Sequence, residues 1–98
     1  MLYDLNEKAD EDLQRLYEWG LDRYGLNQAN EYFDGIVLKF DRIAESPMLF
    51  QQVEHIRSGY RRSVYERHAI YYRIQENGRV EIMRILKHEN PLTSLQDD

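Results

Sequence analysis

Apolar residues recur at helical spacing in the first half of the chain and at strand spacing in the second. Ala9, Leu13, Leu16, Tyr17, Gly20 and Tyr24 fall on one face of a 3.6-residue period. Asn6 stands before them as an N-cap, and Glu7, Asp10, Glu11 and Asp12 suit the positive end of a helix dipole. Gly25 is a natural stop. A second stripe, Ala29, Tyr32, Phe33, Ile36, Phe40, Ile43 and Ala44, predicts another helix with Asn27 as its cap. Ser46-Pro47 ends it, because a residue before proline avoids the helical region. Roughly three residues join the two helices, which predicts an antiparallel hairpin. Leu2 to Leu5 reads as a short extended segment. Met48 to Ser58 has no clean period and reads as a loop crossing to a sheet, and Pro91 to Asp98 as a frayed tail.

Tyr60 to Glu66, His68 to Glu76 and Arg79 to His88 are rich in tyrosine and β-branched residues and read as strands. Asn77-Gly78 is a strong hairpin signal, since a type I′ turn needs positive φ at both centres. A two-residue loop there pairs Glu76 with Arg79, Ile74 with Glu81, Tyr72 with Met83, Tyr71 with Arg84 and Ile70 with Ile85. Ile70, Tyr72, Ile74, Met83 and Ile85 then share the face expected to meet the helices. Ala69, Tyr71, Arg73, Val80, Ile82, Arg84 and Leu86 share the other. That second face is half apolar with two arginines near its centre, and bare apolar patches mark interaction sites. One bulge would swap the faces. Trp19 lies off the first helical stripe, as a rim residue of the core or a partner contact. The fold class expected is α+β: an N-terminal helical hairpin packed on a small antiparallel β-sheet, in one domain over residues 1–98.

Charge sharpens this picture. The chain has 98 residues and a net charge of −5. Its first 50 residues carry five Lys or Arg against eleven Asp or Glu, whereas Arg57 to His88 carries eight against three. Seven of those eight are arginine, which pairs bidentately with carboxylate or phosphate and stacks on aromatic rings. They would also serve as ordinary solvated strand residues. As a docking surface, the stretch suits an acidic peptide or a nucleic acid. There is no cysteine, hence no disulfide or thiolate chemistry, which fits a reducing cytoplasm. No apolar run approaches the roughly 20 residues of a membrane span. Asp4, Glu7 and Asp10 stand where a secretory signal would need positive charge.

Signals for catalysis are thin. His55, His68 and His88 have no metal-ligand spacing, and no metal or cofactor is expected. Ser58, Ser63, Thr93 and Ser94 lack a nucleophile-elbow context. A metal-free ribonuclease would need an acid, a base and cations for the phosphate. His68, Glu81, His88, Arg73 and Arg84 are the right types without any spacing that assembles them.

Three stretches resemble the ParE branch of the ParE/RelE toxin superfamily. "DRYGLNQANEY", Asp22 to Tyr32, resembles its aromatic-glycine junction followed by Q-A-x-x-Y. "IRSGYRRSVYERHAIYYRI", Ile56 to Ile74, resembles its I-R-x-G-Y-R and H-x-x-x-Y-R pattern. "VEIMRILKH", Val80 to His88, resembles its last strand, although Lys87 separates the Ile-Leu pair from His88, and Glu89-Asn90-Pro91 replaces a Met-Asp. The resemblance implies a toxin of a type II toxin–antitoxin module that blocks DNA gyrase and is neutralised by a cognate antitoxin wrapped around it. It implies no enzyme activity, no direct nucleic-acid partner and no membrane. RelE cousins instead cleave mRNA on the ribosome with a cluster of lysines and arginines, and a further alternative is a non-toxic family member that only binds antitoxin. This chain has only Lys8, Lys39 and Lys87 as lysines, and an acidic balance that suits ribosomal RNA poorly. An antitoxin seat on the second sheet face would use Tyr71, Arg73, Val80, Ile82, Arg84 and Leu86, with Trp19 as an outlying contact.

Overall fold

A computed structural model describes residues 2–87 and 89–95. The element order is β1 (Tyr3–Leu5), α1 (Glu7–Tyr24), α2 (Leu26–Glu45), β2 (Gln51–Gln52), β3 (Tyr60–Tyr65), β4 (His68–Ile74), β5 (Val80–Leu86) and α3 (Pro91–Ser94). The sheet order is β1-β5-β4-β3-β2. Neighbours are antiparallel except β1, which runs parallel to β5 with Tyr3 opposite Val80. The α+β class holds, with a mixed sheet in place of an antiparallel one.

The helices form where the stripes place them. Asn6 caps α1 by accepting from Lys8 N at 3.0 Å. Gly25 alone joins the helices, with φ 88°, a backbone state that favours glycine. Its N–H closes α1 on Leu21 O, and its carbonyl opens α2 by accepting from Ala29 N. Asn27 therefore lies inside α2 and is not its cap, because the turn is shorter than expected. Gly20 meets Ala29 closely enough that a Cβ would sit 3.5 Å from the Ala29 side chain. One face of the hairpin buries Leu13, Ile36, Phe40 and Ile43 against Ile70, Tyr72, Val80, Ile82 and Ile85 of the sheet. Full burial of such side chains is worth about 1.5–3 kcal/mol each.

The β4–β5 hairpin departs from the expected register, and its faces change with it. Gly78 N donates to Gln75 O at 2.8 Å and Gln75 N to Arg79 O at 2.9 Å. The loop is thus three residues, Glu76 to Gly78. Next to it Ile74 faces Val80, Arg73 faces Glu81 and Tyr72 faces Ile82. A bulge between Tyr71 and Tyr72 then absorbs Met83 and restores the expected pairs Tyr71–Arg84 and Ile70–Ile85. Val80 and Ile82 consequently turn toward the helices, and Met83 turns away.

The far face is covered. Val53, Tyr60, Tyr71, Met83, Leu86 and Leu95 form a second buried cluster. Leu95 is 1 % exposed, so the expected frayed tail is docked at least this far. Asn90 caps α3 by accepting from Leu92 N at 3.0 Å. Arg57 Nη1 then donates to Leu95 O at 2.6 Å. The expected loop at 48–58 carries β2 and the turns that deliver Val53 to this cluster.

Candidate functional site

The far face holds three of the side chains expected to dock a partner, and it uses them structurally. Tyr71 and Leu86 are buried beneath Leu95. Arg62 reaches over the Tyr71 ring, 5.9 Å from its centroid. Arg84, with 15 % of its side chain exposed, wraps around the free edge of β5. That edge is open because β1 ends at Leu5, where the chain turns into α1. Asp12 of α1 fills the vacancy: its Oδ2 accepts from Ile85 N at 2.9 Å and from Arg84 Nε at 2.8 Å. Its Oδ1 accepts from Arg84 Nη2 at 3.1 Å and Arg15 Nη2 at 2.5 Å. Arg84 Nη1 also donates to Ser94 O at 2.9 Å. One guanidinium thereby ties α1, β5 and the C-terminal turn together. The acidic run from Glu7 to Asp12 signalled the start of a helix behind Asn6, and nothing in it signalled this reach to a strand.

The other expected site residues scatter. Arg73 stands at the rim, paired with Glu81 at 2.6 Å. Val80 and Ile82 are inside the helix-facing core. Trp19 lies on the helical hairpin. Among the described residues the candidate acid–base groups Glu81 and His68 sit in separate contacts: Glu81 pairs with Arg73 and accepts from Asn6 Nδ2 at 3.2 Å, while His68 Nδ1 contacts the Tyr32 hydroxyl at 2.7 Å. His88 lies outside the described residues. Among the described residues no group of three His, Asp or Glu could hold a metal ion, and no helix is long and apolar enough to cross a membrane.

A cleft of about 620 Å³ opens between the apex of the helical hairpin and the β3–β4 turn. Leu16, Gly20 and Ala29 line it on the helical side, Tyr65 and His68 on the sheet side, with Trp19, Tyr24, Arg67 and Lys87 also on its walls. Trp19 is 40 % exposed. Lys87 Nζ sits 4.0 Å from its ring centroid and Arg23 Cζ 5.1 Å, with the Tyr24 ring edge-on at 5.7 Å. Arg67 Nη1 donates to the Tyr24 hydroxyl oxygen at 2.9 Å, which lowers the pKa of Tyr24 and raises that of Arg67. Burial raises that of Tyr32. Trp19 was legible as a residue off the core stripe. Arg67 and Lys87 were not, because each sits at a strand end and only the fold brings them to the same cleft.

Comparison with known proteins agrees with the motifs. The family described as ParE toxin of type II toxin–antitoxin system, parDE, matches residues 3–92. Toxin ParE1 of Caulobacter vibrioides is 36 % identical over 84 residues, 86 % of this chain and 85 % of that protein. Toxin ParE1 of Mycobacterium tuberculosis is 30 % identical over 84 residues, 86 % of each chain. A chain of the solved structure "Chromosomal ParDE TA system from P. aeruginosa" has the same fold, with a TM-score of 0.76 at 20 % identity, covering 90 % of this chain and 98 % of that one. With a family match over nearly its whole length, the chain belongs to the ParE toxin family of type II toxin–antitoxin systems.

Proposed function

We propose that this protein is a cytoplasmic toxin that acts by binding: it inhibits DNA gyrase and is neutralised by a cognate antitoxin. The family match over residues 3–92 carries the reading. The dispersal of His68, Glu81 and Arg84 into separate structural contacts supports binding over RNA cleavage, since acid–base catalysis needs its groups within reach of one substrate. The resemblance of the motifs to the ParE branch supports gyrase as the target. The antitoxin's seat includes exposed groups of the kind found at Arg73 and Trp19. Val80 and Ile82 are removed from that seat by their burial.

Expression of the chain alone in bacterial cells tests this. Filamentation with induction of the DNA-damage response is the expected outcome. A rapid halt of protein synthesis with replication unaffected would instead establish the ribosome-directed activity of the RelE cousins.

A further inference from the structure

Trp19, Tyr24 and Leu26 are exposed apolar side chains within eight residues of sequence at the hairpin apex. The chain is acidic overall, yet here Arg23, Arg67 and Lys87 surround the aromatic pair. Two of those cations contact the tryptophan ring and the third bonds Tyr24, so both rings are held in place. A ring already immobilised loses little freedom when another side chain packs on it, which favours binding. Tryptophan and arginine are also the side chains that dominate interface energetics. An apolar floor with Arg67 and Lys87 on its rim, between Glu31 and Glu66, complements a segment that sets single carboxylates opposite those two cations beside an aliphatic side chain.

We infer that this cleft seats an acidic segment of the neutralising protein, with an aliphatic side chain against Trp19 and carboxylates paired to Arg67 and Lys87. The partner's identity rests on the toxin–antitoxin reading above, whereas the acidic-peptide chemistry rests on the cleft alone. Lys87 is the exchangeable contact: its ammonium leaves the face of the indole for a carboxylate, and the vacated ring receives the aliphatic group. A nucleic acid fits less well. Glu31 and Glu66 stand on the walls of the same cleft, and Glu18, Asp22 and Glu89 line the groove that continues past Lys87. A nucleic-acid strand bears a charge at every nucleotide and must pass those carboxylates. A peptide places its charges only where the cations are.

The test is a titration of the full-length chain with a short peptide of alternating Glu and Leu, followed by the emission of Trp19, the only tryptophan in the chain. A saturable blue shift that weakens with added salt is expected. Arg67→Ala and Lys87→Ala together should weaken the apparent affinity at least about tenfold, as loss of desolvated charge pairs does. A Lys–Leu peptide, a Glu–Ser peptide and a single-stranded oligonucleotide should leave the emission unchanged. An equal response to the oligonucleotide, no response to the Glu–Leu peptide, or full affinity in the double variant overturns the inference. Growth arrest is read separately. A chain that binds the peptide but leaves growth unimpaired keeps the cleft and refutes the toxin reading, and a toxic chain that ignores the peptide does the reverse.

Discussion

Arg84→Ala should destabilise the fold strongly, although the residue lies near a chain end and far from the helical core. The change removes both guanidinium contacts to Asp12 and the bond to Ser94 O. Asp12 keeps Arg15 and the Ile85 amide, but its side chain is only 4 % exposed and Arg15 is mostly in solvent. Breaking a buried ion pair by removing one partner costs about 3–5 kcal/mol, and the two remaining partners place this case near the lower end, at about 3 kcal/mol. Asp12→Ala should cost more, because it leaves both Arg84 and the Ile85 N–H without their shared acceptor. At an m-value of about 1.5 kcal/mol per M of urea, a loss of 3 kcal/mol lowers the unfolding midpoint by about 2 M. Urea titrations of wild type, the two single variants and the double variant, followed by circular dichroism, complete a thermodynamic cycle. Residues joined this directly should couple by about 1–3 kcal/mol. A cost below about 1 kcal/mol for Arg84→Ala, or strict additivity with Asp12→Ala, refutes the view that this pair closes the free edge of β5.

Three further outcomes follow from local geometry. Gly35→Ala drives a Cβ into the Tyr65 hydroxyl oxygen and to 2.7 Å from its ring; the overpacking, about 1–3 kcal/mol, should exceed the gain in helix propensity of about 1 kcal/mol, so calorimetry should show a lower Tm, and a higher one would contradict the packing of Tyr65 on α2. Glu66 holds φ 49° in the β3–β4 turn, so Glu66→Gly should stabilise by about 1 kcal/mol, visible as a rise of about 4–8 °C in Tm. Tyr72 is fully buried, its hydroxyl donates to Pro47 O at 2.7 Å, and burial pushes its pKa up to about 12. Both states hold the proton below pH 10, and between pH 10 and 12 only the unfolded chain gives it up. Stability should therefore fall across that window, and Tyr72→Phe should flatten the fall in alkaline urea titrations while lowering stability at pH 7.

The helices were legible because burial on one face writes a period into the sequence, and because Asn6, Gly25 and Ser46-Pro47 are punctuation with a steric cause. The position of the β4–β5 turn was legible for the same reason. Its loop length was not: Gly78 serves a three-residue loop as well as a two-residue one, and one residue of difference inverts the face of every side chain up to the bulge. Met83 gave no sign of that bulge, since an unbranched thioether suits either side of a sheet. Arg84 and Asp12 each looked like surface charges, and their pairing needs the β5 edge that a three-residue β1 leaves open. Leu95 looked like part of a frayed tail, and only the covered face of Tyr71 and Leu86 explains why it is buried. The Trp19 cleft gathers residues from positions 16 to 87, a separation that no local pattern spans.

The claim that this toxin works by binding gyrase is tested most directly with purified components. The chain is added to DNA gyrase, ATP and relaxed plasmid, and supercoiling and cleaved plasmid are read on a gel, with a parallel reaction of translating ribosomes and mRNA. Supercoiling should be inhibited, with cleaved plasmid accumulating as the chain is increased, and the mRNA should stay intact. Normal supercoiling together with ribosome-dependent mRNA cuts would contradict the account.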